Sequence, residues 1–97
     1  MDDLSIDRQD DGGVPQFVLR ANGQPLGILD YALTGTGEMR IDYVEVDPDL
    51  RGAGHGRRLV EAAVAFARER QLRVVPICSY ARAVIERDPV LSAALRR

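Results

Sequence analysis

The spacing of apolar residues changes once along this chain, at about residue 54. Upstream, apolar and polar positions alternate; downstream they recur at helical intervals. Leu4 and Ile6 mark a short edge strand, and Asp10-Asp11-Gly12-Gly13 a turn. Gln16 to Arg20 reads as a strand. It runs into Ala21-Asn22-Gly23-Gln24, whose Asn-Gly pair suits a two-residue hairpin because both residues tolerate positive φ. Leu26 to Leu33 is the returning strand, with Leu26, Ile28, Tyr31 and Leu33 expected to point inward, and Thr34-Gly35-Thr36-Gly37 makes the next turn. From Met39 to Val46, strict alternation puts Met39, Ile41, Tyr43 and Glu45 on one face and Arg40, Asp42, Val44 and Val46 on the other. The result is an antiparallel meander of three or four strands.

From Gly54 to Gln71 the period is helical. Leu59, Val60, Ala63, Val64 and Ala67 form an apolar stripe, with Arg57, Glu61 and Arg68 towards its polar side. Leu72 to Cys78 reads as a further strand, in which Pro76 implies an interrupted or edge-like ladder. Ala81 to Arg87 is a short helix that stops at Asp88-Pro89, and residues 90–97 leave room for one more turn. This order predicts an α+β fold. A helical crossover from Val46 to Leu72 sets the last strand parallel to the fourth. No repeat or linker interrupts the pattern, so residues 1–97 are expected to form a single domain.

Composition narrows the class. Apolar residues make up 45% and charged residues 29% of the 97, the balance of a soluble globular protein. No apolar run approaches the ~20 residues that span a bilayer, and the acidic start lacks a signal-peptide pattern, so a cytoplasmic location is expected, with no membrane partner. A single cysteine excludes an internal disulfide framework. One histidine with one cysteine does not make a zinc site, and no metal is expected.

The junction between the two patterns carries the chemistry. Arg51-Gly52-Ala53-Gly54-His55-Gly56-Arg57-Arg58 joins a strand to a long helix. Such a turn presents free backbone N–H groups at a helix N-terminus, where the dipole adds about half a positive charge. Cations in a first turn are disfavoured by a few tenths to about 1 kcal/mol, so Arg57 and Arg58 together imply an anion nearby. The charge distribution agrees. Residues 1–50 hold 11 acids and 3 bases, and residues 51–97 hold 4 acids and 10 bases, so the basic half begins at the glycine turn. All 13 bases are arginine. They are interleaved with helix-core positions and aromatics are scarce, which argues against nucleic acid as the partner. A phosphate-bearing small ligand at residues 51–58 is the expectation. The turn lacks the Gly-Lys-Ser/Thr end of a P-loop and the spacing of a dinucleotide fingerprint.

At this point the residues resemble a known family. Arg51-Gly52-Ala53-Gly54-His55-Gly56 matches the (Gln/Arg)-x-x-Gly-x-(Gly/Ala) signature of the GNAT acetyltransferases. Together with Tyr43-Val44-Glu45-Val46 and Pro76-Ile77-Cys78-Ser79-Tyr80, it looks like the small GNAT-like proteins of the YjdJ and NATD1 type, over about residues 14–90. The resemblance implies acetyl-CoA as cosubstrate. The amides of Gly52, Ala53, Gly54, His55 and Gly56 would hold the pyrophosphate, with Arg51 and Arg57 nearby. The pantetheine arm would lie where the strand ending at Val46 separates from the one ending at Cys78. Val46 N–H or a neighbouring amide, such as that of Val44, would polarise the thioester carbonyl.

Acetyl transfer to an amine needs a base, an oxyanion donor and a proton for the departing thiolate. Glu45 is the candidate base, expected on the desolvated face with Met39 and Ile41. Tyr80 is the candidate proton donor. Cys78, just before the last helix, is a candidate nucleophile or donor, while Ser79 reads as a helix N-cap. Members of the small type commonly carry His-Thr-Glu-Val where this chain has Tyr43-Val44-Glu45-Val46. A Cys–His acyl-transfer pair therefore has no histidine at that position, which favours direct attack by the amine. No helix precedes residue 54, leaving the acceptor groove open or completed by a second copy of the chain as a homodimer. The acceptor is then an amine on a small molecule or a protein. The alternative is a non-catalytic acyl-CoA-binding or protein-interaction module.

Overall fold

The computed structural model describes residues 4–10, 12–48, 52 and 54–95. Four strands form the meander: β1 (Leu4–Gln9), β2 (Gln16–Ala21), β3 (Gln24–Leu33) and β4 (Glu38–Val46). Helix α1 (His55–Glu69) crosses over to β5 (Arg73–Pro76), and α2 (Ser79–Glu86) and α3 (Pro89–Ser92) follow. The sheet order is β1-β2-β3-β4-β5, with antiparallel pairing throughout except for the parallel β4–β5 pair. The β2–β3 hairpin turns on Asn22 and Gly23, both at positive φ (52° and 83°), as its two-residue loop requires.

All three described helices bury residues in one core on one face of the sheet. Leu59, Val60, Ala63, Val64 and Ala67 of α1 and Ala81 and Ile85 of α2 pack against Phe17, Leu19, Leu29, Tyr31, Met39, Ile41 and Val74. Phe17, Tyr31 and Phe66 cluster in tilted and edge-to-face contacts at 5.3–5.8 Å between centroids. The guanidinium groups of Arg8 and Arg70 lie 4.9 and 4.4 Å from the Phe66 ring, tying β1 and the end of α1 to this cluster. An antiparallel sheet tolerates one wet face, and among the described residues the opposite face is lined by strand side chains. Register places Gln16, Asp30 and Tyr43 in one row there, and Val18, Ile28 and Glu45 in the next.

Strict alternation fails at one residue of β4. Tyr31 pairs with Ile41 but Asp30 pairs with Tyr43, so Asp42 is an extra residue, a β-bulge. The bulge exchanges faces. Met39 and Ile41 are fully buried, and beyond Asp42 it is Val44 and Val46 that pack on the core. Tyr43 and Glu45 point to the uncovered face and are exposed, so the expectation of a desolvated Glu45 beside Met39 and Ile41 is corrected. On β3 the buried pair is Leu29 and Tyr31. Leu26 packs against the core edge as expected, but Ile28 lies on the uncovered face and Leu33 is exposed at the strand end.

Candidate active site

Strands β4 and β5 begin side by side and then part. Their ladder runs from Glu38–Arg73 to Ile41–Pro76 and stops there. Ile77 N–H and Cys78 N–H both donate to the Ile41 carbonyl, at 2.9 and 3.2 Å, as the chain turns into α2. Past Ile41, β4 pairs among the described residues only with β3. The Asp47 amide bonds the β3 carbonyl of Leu26 at 2.8 Å. By alternation the Val46 and Val44 amides point the other way, into the gap. Pro76, which lacks an N–H, ends the partner strand at the point of divergence.

The N-termini of α1 and α2 close the other side of this gap. Gly54 is the N-cap of α1 in the left-handed region (φ 81°), no side chain among the described residues caps the helix, and the first intrahelical bond is Arg58 N–H to Gly54 C=O at 3.1 Å. The amides of His55, Gly56 and Arg57 therefore have no helical acceptor. Gly52 also sits at positive φ (88°), and a Cβ added at Gly52 or Gly54 would enter open space. The turn thus offers bare backbone to whatever lies in front of it, which fits a pyrophosphate. Arg51 and Ala53, two of the expected phosphate contacts, lie outside the described residues. Helix α2 begins two residues earlier than its sequence pattern suggested. Cys78 rather than Ser79 is its N-cap, again with no side-chain cap bond. Tyr80 thereby falls in the first turn of α2, over Gly56 of α1.

Between these elements lies a cleft of about 670 Å³ lined by Tyr43, Val44, Glu45, Val46, Gly52, Gly54, His55, Gly56 and Tyr80. It passes from the helical face through the gap to the uncovered face. Of the sequence-singled catalytic candidates, Glu45 and Tyr80 line it, whereas Cys78 stays half-buried beside it. His55 lines the cleft and is partly buried, and its Nδ1 is fully buried with no hydrogen-bond partner among the described residues. The Arg57 guanidinium is engaged by Asp88 (2.6 Å) and Glu61 (3.3 Å). That pairing satisfies the arginine without a ligand and leaves its backbone amide as the group facing the turn. Among the described residues no three His, Cys, Asp or Glu side chains converge as a metal site requires.

Two neighbours of the cleft were not singled out from sequence. Gln16 Nε2 donates to Asp30 Oδ1 at 2.7 Å, in the same row as Tyr43. The Tyr43 phenol is pushed above its ordinary 10.0, first by the Glu45 charge, then by burial and a hydrogen bond with Glu45, with smaller effects from Asp30 and Cys78. These groups share one face only because of the Asp42 bulge. The available signal was the 2-3-2 spacing of the aliphatic residues Met39, Ile41, Val44 and Val46, which a bulge turns to one side.

A mostly antiparallel sheet whose fourth and fifth strands split in front of a glycine-opened helix defines the class of GCN5-related acyltransferases. The model of the GCN5-related N-acetyl-transferase family matches residues 16–94, and the chain belongs to that family. It is 36% identical over 67 residues to the uncharacterised N-acetyltransferase MJ1207 of Methanocaldococcus jannaschii, covering 63% of this chain and 30% of that protein. It is 30% identical over 76 residues to Protein NATD1 of Bos taurus, covering 77% of this chain and 67% of that one. The chain thus spans under a third of the first relative's length. Among solved structures, a GCN5-like protein from Staphylococcus aureus superposes with a TM-score of 0.76 at 26% identity, over 99% of this chain and 91% of that one.

Proposed function

We propose that this protein binds acetyl-CoA in the β4–β5 cleft and transfers the acetyl group to an amine by direct attack. The observation that carries the reading is the uncapped, glycine-opened start of α1 facing the unpaired edge of β4 across one cleft. The amides of Gly52 to Arg57 hold the pyrophosphate. Amides of Val44 and Val46 lie where a pantetheine arm would run as a surrogate strand, and one of them stabilises the oxyanion. The amine attacks the thioester carbonyl carbon from the uncovered face; a C–N bond forms and the C–S bond breaks. The resulting ammonium is acidic enough for an exposed carboxylate, Glu45, to take its proton. Tyr80 gives its phenolic proton to the departing thiolate. Cys78, outside the cleft lining, takes no covalent part.

The test is thermal unfolding with excess acetyl-CoA or CoA, with ATP as control. A ligand at ~100 times its dissociation constant stabilises by about 2.7 kcal/mol, roughly 10–20 °C for a domain of this size. Stabilisation by both thioester and thiol but little by ATP is expected, followed by turnover in an amine-acceptor screen. Absence of any shift would remove acetyl-CoA from the reading. A shift without turnover on any amine would favour the binding-module alternative, for which the tyrosine at position 43 is the specific observation.

A further inference from the structure

The glycines of the α1 start are there for different reasons. Gly52 and Gly54 adopt positive φ and have nothing near a would-be Cβ, so they serve the backbone. Gly56 does not adopt positive φ, and it is buried. A Cβ built on it would lie 2.6 Å from Tyr80 Oη, 2.9 Å from Cζ and 3.0 Å from Cε2. Its three nearest neighbours all belong to one phenol ring. What its missing side chain makes room for is therefore Tyr80.

Tyr80 is 44% exposed, and no hydrogen bond anchors its hydroxyl among the described residues. We infer that Gly56 is the positioning residue for Tyr80, a bare backbone seat that sets the phenol over the first turn of α1 at the cleft. This rests on the reading of Tyr80 as proton donor. A methyl group at position 56 has to move Oη from 2.6 Å to beyond 3.0 Å, and to 3.4 Å for ordinary contact. An exposed side chain yields more easily than a helix, so the ring swings and the fold stays. A displacement approaching 1 Å costs a catalytic group up to about a hundredfold in rate.

The contact is tested by a thermal-unfolding cycle of Gly56→Ala in the wild-type and Tyr80→Ala backgrounds, which needs no acceptor. With the ring gone, alanine gains helix propensity and the midpoint rises by roughly 4–8 °C. With the ring present the gain is reduced or reversed. An equal effect in both backgrounds overturns the inference.

The functional half is read from the pH titration of the thiol of bound CoA, followed by ultraviolet absorbance. A hydroxyl donating to the thiolate favours the anion, so Tyr80→Phe raises the pH at which the thiol ionises. Gly56→Ala is expected to match it, each titration being run at a CoA concentration that saturates the variant. If Tyr80→Phe shifts the titration and Gly56→Ala does not, the positioning role is wrong and the donor reading survives. If Tyr80→Phe leaves the titration unchanged, the donor reading fails and the inference falls with it. Loss of CoA binding by Gly56→Ala alone also overturns it, because the methyl group would then be acting on the cradle.

Discussion

Gly27→Ala joins the stability of the sheet to the shape of the cleft. Gly27 lies opposite Val46, and a Cβ there would sit 2.9 Å from the Glu45 carbonyl oxygen, 3.2 Å from Val46 Cγ2 and 3.3 Å from Leu59 Cδ1. None of the three gives easily. The first is backbone held by the β3–β4 ladder, and Leu59 is fully buried under it. Overpacking of this kind costs about 1–3 kcal/mol. The smaller entropy of the unfolded alanine chain offsets about 0.4–1 kcal/mol. The net expectation is a loss of about 1–2 kcal/mol, or roughly 5–15 °C in midpoint for a domain of this size. Urea unfolding should show a lower midpoint at unchanged slope. Because relief requires β4 to move at Glu45 and Val46, the stabilisation by CoA should shrink as well. A midpoint equal to or above that of the wild type would refute the packing argument.

Gly54→Glu should abolish stabilisation by CoA in the same thermal assay, since it strains a residue at φ 81° and adds a negative charge in front of the turn. Glu45→Gln removes the largest influence on Tyr43, so the phenol should ionise closer to its ordinary 10.0. An ultraviolet titration against Tyr43→Phe reads this directly. Cys78→Ala should retain most activity in any assay that detects turnover; complete loss with an intact fold would restore a covalent route. Asp88→Asn tests pH linkage. The Val90 amide, the Leu91 amide and Arg57 hold the Asp88 carboxyl below its usual 3.8 against the opposing effect of burial. A depressed folded value means stability that is present above pH 3.8 and lost as pH falls through the folded value. Wild type and variant should therefore differ in midpoint at neutral pH and converge in acid.

The glycine turn, the change from alternating to helical spacing and the parallel β5 were legible because each rests on short-range chemistry. Asn-Gly turns, a helical stripe and the length of a crossover are visible in consecutive residues. The face on which Tyr43 and Glu45 stand was not. Alternation assumes one residue per step on both strands, and Asp42 breaks that assumption through pairing with β3, a partner distant in sequence. The start of α2 was also misplaced. Cys78 and Ser79 carry no strong signal to separate a strand end from a helix cap, and it is the bonding of Ile77 and Cys78 to the Ile41 carbonyl that sets the turn. The pairing of Arg57 with Asp88 joins residues 31 apart and leaves no local trace.

The Asp42 bulge works like a change of reading frame within one strand. Residues before it and residues after it obey opposite parity, so the aliphatic positions continue the core while Tyr43 and Glu45 are released to the outside. Substitutions at the released positions leave the core untouched, which lets the chemistry at the cleft diversify independently of folding. Deleting Asp42 would remove the extra residue itself: the strand would then alternate simply, with Met39, Ile41, Val44 and Val46 still inward and Tyr43 and Glu45 still outside. The length of this stretch is therefore open to the loss of that one residue, and what would go with it is the local bend and twist that a bulge adds.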